Sequence, residues 1–203
     1  MRIAYACAYT PLPLLGAAGC TPYRVLPTTD AADQAGLVIH DNICPHVKRV
    51  LDRVMAPDLP EIDGVVLVNS CDAMRRLSDA WRRVRPEDPV FLLDLPPTVS
   101  EISTRWFTTE LERLRRSLSE WTGHEITDDA IEASIARSNA LAVSLELLRV
   151  RLRAGTLPGG AAAMQRLYNE ISVAPLVDGL TAAAKLLAEP EVPSSDGGVP
   201  VHL

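Results

Sequence analysis

The stretch VVLVNSCDAMRRLSDAW, residues 65–81, combines a strand, a sharp junction and a helix. It opens with the apolar, β-branched run Val65–Val68, which predicts a buried strand. The run stops at Asn-Ser-Cys-Asp, residues 69–72, and an arginine-rich amphipathic pattern follows, with Met74, Leu77 and Trp81 on one helical stripe. The pattern therefore predicts that Cys71 lies where a strand ends and a helix begins.

The same alternation of strand and helix extends to both sides of this stretch. Strands are predicted over 2–9, 23–27, 63–70 and 89–96, and helices over 11–19, within 39–55, and over 71–84. Continuously apolar strands that alternate with helices are typical of a parallel sheet covered on both faces. We therefore predict an α/β fold with a parallel, doubly wound, Rossmann-like sheet. Ligands bind beyond the carboxyl ends of such strands, where Cys71 and Asp94 are expected.

After residue 97 the pattern becomes helical. A capping box from Thr98 to Glu101 predicts a helix that Gly123 ends, and Thr127 is expected to cap the next helix. Further helices are predicted over about 160–171 and 175–188. We predict an α/β domain over 1–97, a helical region over 98–189, and a linker over 190–203 that leads into a second α/β domain. The terminal VPVHL is either an edge strand of the existing sheet or the start of that second domain, which the chain would then contain only in part.

Composition excludes several classes of protein. The 203 residues carry a net charge of −6, whereas nucleic-acid binding needs a basic face. The sequence contains no run of about 18 apolar residues, so no membrane-spanning helix is predicted. The segment LLGAAGC resembles a lipoprotein cleavage site, but Pro11 and Pro13 interrupt the apolar run that a signal peptide needs. We therefore expect a cytoplasmic protein whose four cysteines are reduced thiols or metal ligands.

Two cysteines occupy equivalent positions in the predicted fold. Cys44 and Cys71 each come directly before a helix, where outward-pointing N–H groups favour a thiolate. They are too far apart in the sequence for a CxxC pair. Either the two converge on one ligand above the sheet, or each is a small buried residue. Cys7, within the first predicted strand, is expected in the core.

Four segments carry a resemblance to a known family. AYACAYTPLPLLGAAGCTPYRV, HDNICPHVKRVLD, IDGVVLVNSCDAMRRLSDAWR and FLLDLPP, in this order, resemble the 2-hydroxyacyl-CoA dehydratases, which include the related benzoyl-CoA reductase subunits. The later helical segment, with Asn139, resembles the family as well. The two cysteine–helix segments are the most specific part of the match.

The resemblance implies a subunit that holds a [4Fe-4S] cluster with three cysteines. Two of these match Cys44 and Cys71, and the third would lie in the second α/β domain. It also implies an acyl-CoA substrate, a homologous second subunit in a heterodimer, and a separate ATP-dependent activator that delivers one electron. The implied reaction removes water from an (R)-2-hydroxyacyl-CoA through a ketyl radical, and ring reduction by a benzoyl-CoA reductase-like subunit is the alternative.

The sequence also departs from the family pattern. The family usually carries a glutamate where this chain has Leu12, Pro13 and Leu14, so a non-catalytic scaffold subunit stays open as a third function. Cys20 falls at a position that is often apolar in the family, and is either a core residue or a substitute cluster ligand. If Cys44 and Cys71 share a cluster, their sulfurs are expected roughly 6–7 Å apart at one edge of the sheet.

Overall fold

The computed structural model describes residues 1–27, 33–57 and 59–193 of the chain. These residues fall into two compact units, Met1–Ile131 and the part of the chain from Glu132 onward. Residues 194–203, with the predicted VPVHL strand and most of the predicted linker, lie outside the described residues. The predicted change from an α/β domain to a helical region at residue 97 also stays a prediction.

The first unit is built on a parallel sheet. Its four strands are β1 (Arg2–Tyr5), β2 (Thr21–Arg24), β3 (Gly64–Asn69) and β4 (Val90–Asp94), in the spatial order β2-β1-β3-β4. All three strand pairs are parallel. The helices of this unit are α1 (Leu12–Ala17), α2 (Pro45–Met55), α3 (Asp72–Val84) and α4 (Glu101–Thr122), and α5 (Asp128–Arg153) begins in it. The predicted parallel α/β sheet is confirmed.

The apolar run of residues 65–68 forms the centre of the sheet. Val65–Val68 are fully buried in β3, between β1 and β4. Leu77 and Trp81 of α3 are fully buried in the same core. A strand covered on both faces must be apolar at every position, which explains why β3 lacks the polar–apolar alternation of a half-exposed strand.

The ends of the helices agree with the sequence in two cases and differ in one. Gly123 ends α4 in the left-handed conformation, with φ 75°, and Thr127 Oγ1 accepts a hydrogen bond from the Ala130 N–H at the start of α5. The capping box from Thr98 was wrong. Ser100 caps α4 instead, because its Oγ accepts the Ser103 N–H at 3.1 Å. Ser100 lies directly before the first residue of the helix, so its hydroxyl is closer than that of Thr98 to the free N–H groups of the first turn.

Two side chains of α4 form hydrogen bonds with the backbone groups on the outer edge of β4. The Arg113 Nη2 donates to the Leu92 carbonyl at 2.7 Å, and the Asp94 N–H donates to Glu110 Oε2 at 3.3 Å. Arg113 and Glu110 also form an ion pair at 2.7 Å. The Arg113 guanidinium stacks on the Phe91 ring, 4.1 Å from its centroid. This pair, which we call the edge clamp, holds α4 against the end of β4.

The first residue of β3 is a glycine for a steric reason. A Cβ atom at Gly64 would lie 2.9 Å from the Trp121 ring of α4 and 3.2 Å from the Ile3 side chain. Both distances are shorter than ordinary van der Waals contacts. The close approach of the Trp121 ring to the sheet therefore depends on the absence of a side chain at this position.

The second unit contains the rest of α5 together with α6 (Gly160–Ile171) and α7 (Leu176–Ala188). The last two helices match the predicted spans. The core consists of Leu148, Leu157, Met164, Leu167 and Ala183. Arg151 Nη1 donates to the Leu187 carbonyl at 2.8 Å, which attaches the end of α7 to α5. None of the helices in the described part of the chain is long and apolar enough to cross a membrane.

Candidate metal centre

The order of the strands creates a crevice at the carboxyl edge of the sheet. The chain moves outward from β1 to β2 and then returns past β1 to form β3. The connections on the two sides of this reversal leave the sheet in opposite directions, and open α/β sheets bind ligands at such a point. Here the reversal lies between β1 and β3. Side chains that follow these two strands are therefore the first candidates for a functional site.

Cys71 follows β3 and is the N-cap residue of α3. Its backbone is extended, with φ −162° and ψ 165°, and its Sγ accepts a hydrogen bond from the Met74 N–H at 3.5 Å. This is the position that serine or aspartate usually occupies, so the thiol faces the free N–H groups of the first turn. The residue is exposed. An exposed sulfur at a helix N-terminus can reach a metal ion or an added reagent.

Cys44 occupies the equivalent position on α2. It is the N-cap residue, it is exposed, and Pro45 takes the first helical position. His46 is exposed as well. The two helices that these cysteines begin, α2 and α3, pack against each other. Both cysteines are thus exposed residues at helix N-termini, as the sequence indicated, and the Cys71 sulfur accepts a capping hydrogen bond whereas the Cys44 sulfur does not.

The segment that leads to Cys44 is anchored by a buried carboxylate. Asp52 Oδ1 accepts the N–H groups of Gln34 and Ala35 at 2.8 and 2.7 Å. Asp52 Oδ2 is 2.9 Å from Arg49 Nη1. The carboxylate is fully shielded from solvent, whereas isolated buried charges are costly. Its three partners satisfy it and attach the start of this segment to α2.

A second thiol lies at the crevice itself. Cys7 is buried two residues after β1, and its Sγ is 3.2 Å from Ser70 Oγ. Ser70 directly precedes Cys71. The prediction that Cys7 is buried in the core is confirmed, because the residue belongs to the main apolar cluster. The contact with Ser70, however, joins the ends of β1 and β3 and brings Cys7 beside the segment that carries Cys71.

The polar contacts continue across the sheet to β4. Asn69 Nδ2 donates to Asp94 Oδ1 at 2.7 Å, between the last residues of β3 and β4. The Asp94 N–H is held by Glu110 of the edge clamp. The hydrogen bond from Arg113 lowers the pKa of the Glu110 carboxyl, which favours its ionised form. The sequence identified Asp94 as a strand-end residue but did not identify these partners.

Asp72 begins α3 directly after the exposed cysteine. It pairs with Arg75 at 2.6 Å and with Arg76 at 3.7 Å, and the hydrogen bond from Arg75 lowers the pKa of the Asp72 carboxyl. Both arginines are about half exposed. Both arginines therefore pair with a carboxylate one turn away, on a face that water reaches.

Cys20 lies at the opposite edge of the sheet. It directly precedes β2, whose first residue, Thr21, pairs with Arg2 at the start of β1. The side chain is buried, its Sγ contacts the Ala18 carbonyl at 3.7 Å, and burial raises the pKa of the thiol to about 11. These observations favour the core alternative for Cys20 over a substitute ligand at the carboxyl edge.

The donor set at the crevice is partial. Within residues 1–27, 33–57 and 59–193, no three histidine, cysteine, aspartate or glutamate side chains form a group that could hold a metal ion. Among the described residues, Cys71 is exposed beside the contact of Cys7 with Ser70, and Cys44 is exposed at the start of α2.

Comparison with known proteins decides the family. The family model described as "2-hydroxyglutaryl-CoA dehydratase, D-component" matches residues 7–191. This chain belongs to that family. The matched region begins at Cys7 and includes the three strand-end segments of the crevice, α4 to α7, and both helix-capping cysteines.

Two curated relatives are similar over about two thirds of the chain. A benzoyl-CoA reductase subunit of Thauera aromatica is 30% identical over 140 residues, and the putative dehydratase subunit YjiM of Escherichia coli K12 is 27% identical over 138 residues. Each match covers 66% of this chain and 35% of the relative. The chain therefore spans well under two thirds of the length of these relatives.

Proposed function

We propose that this chain supplies Cys44 and Cys71 as two ligands of a [4Fe-4S] cluster in a 2-hydroxyacyl-CoA dehydratase-type subunit. The observation that carries the proposal is the shared position of the two thiols. Each is exposed, and each is the N-cap residue of one of two helices that pack against each other. Structural cysteines in a reducing compartment are usually buried, as Cys7 and Cys20 are in this chain.

The two thiols fit the chemistry of the cluster. Iron–sulfur clusters are held by cysteine thiolates, and the N–H groups of a helix N-terminus stabilise negative charge on the sulfur. The resemblance implies three cysteines in one subunit, and the third would lie in the second α/β domain. Cys44 and Cys71 would then hold the cluster together with one further cysteine. When it is bound, the cluster supplies single electrons to an acyl-CoA thioester.

The reaction we propose is the removal of water from an (R)-2-hydroxyacyl-CoA to give an enoyl-CoA. The enzyme is completed by a second, homologous subunit, and a separate ATP-dependent activator delivers the electron in the cytoplasm. Within this chain, the Cys7–Ser70 and Asn69–Asp94 contacts connect the ends of β1, β3 and β4. We assign them the role of holding the segment that carries Cys71 in place.

Ring reduction of an aryl-CoA is the second candidate function. It is favoured by the 30% identity to a benzoyl-CoA reductase subunit, which is higher than the identity to the putative dehydratase subunit. Assays of the assembled enzyme with both substrate classes distinguish the two. Turnover of aryl-CoA without turnover of 2-hydroxyacyl-CoA would replace the leading proposal by this one.

Iron binding tests the cluster independently of activity. The chain is reconstituted anaerobically with iron, sulfide and a small thiol, which fills the positions that the chain cannot. We expect about four iron atoms per chain and a paramagnetic signal after reduction. Cys44→Ser and Cys71→Ser should each lower the iron content, and the double variant should fall to the level of a sample prepared without sulfide.

Cys20→Ala is the matched control, because this thiol is buried at the other edge of the sheet. It should retain the iron of the wild-type chain. Equal iron in the wild type and the double serine variant would refute the proposed ligands. A wild-type chain that binds no iron but pairs stably with a full-length homologous subunit would instead support the scaffold function.

The distance between the two thiols is a second, cluster-free test. A short bifunctional thiol reagent such as dibromobimane should join Cys44 to Cys71 within one chain, as detected by mass spectrometry of the linked peptides. Sulfurs that share one cluster lie roughly 6–7 Å apart. If the reagent labels both thiols singly and never joins them, they are too far apart to bind the same cluster.

A further inference from the structure

Arg24 ends β2 at the carboxyl edge of the sheet and is only partly exposed. The Nε atom of its guanidinium is fully buried and has no hydrogen-bond partner. Among the described residues, no carboxylate or carbonyl group pairs with the other nitrogens of this guanidinium either. The fold thus shields part of a positive charge from water without supplying an acceptor for it.

Other arginines with shielded nitrogen atoms do have acceptors in this fold. Arg115 Nε donates to the Ile126 carbonyl at 2.7 Å, and Arg113 is paired in the edge clamp. Such partners are expected, because a shielded ion without a counterion or an acceptor costs free energy. A methionine at position 24 would pack without this cost. The packing of the chain therefore gives no reason for an arginine here, whereas a ligand that supplies the acceptor does.

The end of β1 provides a shielded setting for this guanidinium. Arg24 pairs in register with Tyr5, the last residue of β1, so the two side chains project from the same face of the sheet. The backbone beside them is fixed, because the Val25 N–H donates to the Tyr5 carbonyl at 2.8 Å. Burial raises the pKa of the Tyr5 phenol, and the nearby charge of Arg24 acts in the opposite direction. The guanidinium therefore lies close to a buried phenol.

The position of Arg24 also agrees with where parallel sheets bind ligands. Such ligands lie beyond the carboxyl ends of the strands, and Cys71 follows β3 at the same edge. β1 lies between β2 and β3, so the ends of these two strands are about 10 Å apart. Because Arg24 is partly exposed, a small anion at this edge can reach its outer Nη groups.

We propose that Arg24 binds an oxyanion, the carboxylate or phosphate group of a ligand that lies along the carboxyl edge of the sheet. A guanidinium presents N–H groups in one plane, and these match two oxygen atoms of such a group. The bound oxyanion neutralises the charge of Arg24, which none of the described residues does. Oxyanion binding needs neither Cys44 nor Cys71, so the proposal does not depend on the cluster.

The Nε–Hε group of Arg24 reports binding directly. In ¹H–¹⁵N spectra of the full chain, its signal is assigned by its loss in Arg24→Met. Sodium acetate or sodium phosphate, added at an ionic strength held constant with sodium chloride, should shift this signal saturably, with a dissociation constant on the order of 1 mM. The anion that saturates at the lower concentration identifies the group. The Nε–Hε signal of Arg115, which already donates to a carbonyl, should stay unchanged.

Thermal stability distinguishes a ligand-binding arginine from a structural one. Without the anion, Arg24→Met should melt at the same temperature as the wild type or a higher one, because it removes a charge that has no counterion. The anion should raise the Tm of the wild type but not that of Arg24→Met, since a ligand of the folded state stabilises it. Arg113→Met is the matched control. It should lower the Tm, because Glu110 and the Leu92 carbonyl lose their donor.

Two further variants separate this site from a diffuse effect of charge and from the cluster. Arg24→Lys keeps the charge but loses the planar donors, and should weaken binding at least about fivefold. The double variant Cys44→Ser, Cys71→Ser should bind the anion as the wild type does. No saturable shift with either anion would overturn the proposal, as would equal shifts at Arg24 and Arg115. A fall in Tm for Arg24→Met as large as that for Arg113→Met would assign Arg24 a structural role instead.

Discussion

Cys7 and Ser70 contact each other, Sγ to Oγ at 3.2 Å, at the point where the chain reverses between β1 and β3. The contact joins two residues that are far apart in the sequence but adjacent at the carboxyl edge of the sheet. It also separates the four cysteines into three environments: buried at the crevice, buried at the opposite edge, and exposed at two helix N-termini.

The rate at which each cysteine is alkylated should depend on which of these environments it occupies. In the native chain at about pH 8, iodoacetamide should modify Cys44 and Cys71 rapidly, because both are exposed. Cys7 should react slowly, and Cys20 most slowly, because burial shields its sulfur and raises the pKa of its thiol to about 11. Mass spectrometry of the modified peptides over time gives the order. In denaturant the four rates should become similar, and a fast native reaction at Cys20 would contradict the described burial.

Loss of the buried carboxylate on α2 should destabilise the segment before Cys44. Asp52→Ala leaves the Gln34 and Ala35 N–H groups and the Arg49 guanidinium without this acceptor. We expect the free energy of unfolding to fall by about 2–4 kcal/mol, measured by urea denaturation. Asp41→Ala is the matched control. Its carboxylate is 88% exposed and pairs with Lys48, so the loss should stay below about 1 kcal/mol.

A methyl group at the start of β3 should disturb the packing of α4. Gly64→Ala places a Cβ atom 2.9 Å from the Trp121 ring, so the ring or the strand must move. We expect a loss of about 1–3 kcal/mol in the free energy of unfolding and a change in tryptophan fluorescence. At Gly36 the nearest atom to an added Cβ would be Asp41 Oδ1 at 3.4 Å. Gly36→Ala should therefore have little effect, and equal losses in the two variants would contradict the proposed cause.

The edge clamp should contribute stability that depends on pH. Because the pKa of the Glu110 carboxyl is lowered in the folded chain, the unfolded chain binds its proton more readily. The stabilising effect is then complete above the ordinary glutamate pKa, near 4.3, and is lost as the pH falls through the lower folded value. Glu110→Gln should be less stable than the wild type at pH 6–7, and the difference should shrink as the pH falls below about 4.

Urea denaturation at several pH values measures this difference. Glu101→Gln is the control, since its carboxylate is 85% exposed in the pair with Arg105. That variant should differ little from the wild type at any pH. A stability difference for Glu110→Gln that is as large at pH 3 as at pH 7 would show that the carboxylate does not stabilise the fold through its charge.

Periodicity and turn chemistry predicted most of the elements of this fold. The apolar run before Asn69 predicted a buried strand, and glycine at position 123 predicted a helix end, because both signals are local. The first strand was predicted to reach residue 9 but ends at Tyr5. Beyond it, the Thr10 hydroxyl and N–H both bond to the Cys7 carbonyl and form a turn.

The contacts of the candidate site could not be predicted in the same way. The positions of Ser70 and Asp94 after apolar runs indicated that they lie at strand ends, whereas Cys7 was predicted to lie within the first strand. Their pairing depends on which strands are neighbours, and the order β2-β1-β3-β4 is not contained in any local pattern. The position of Asp52 within a helix likewise gave no sign that its carboxylate accepts hydrogen bonds from the distant Gln34 and Ala35 backbone.

The edge clamp has a further consequence for the sheet. A neighbouring parallel strand would donate an N–H to the Leu92 carbonyl and accept the Asp94 N–H, and Arg113 and Glu110 do both with their side chains. Two residues of a helix thus imitate one residue of a fifth strand. An unoccupied strand edge invites pairing with other chains, which is how many sheets begin to aggregate. Because α4 already occupies these two backbone groups, the edge of β4 is protected at this position from pairing with a strand of another molecule.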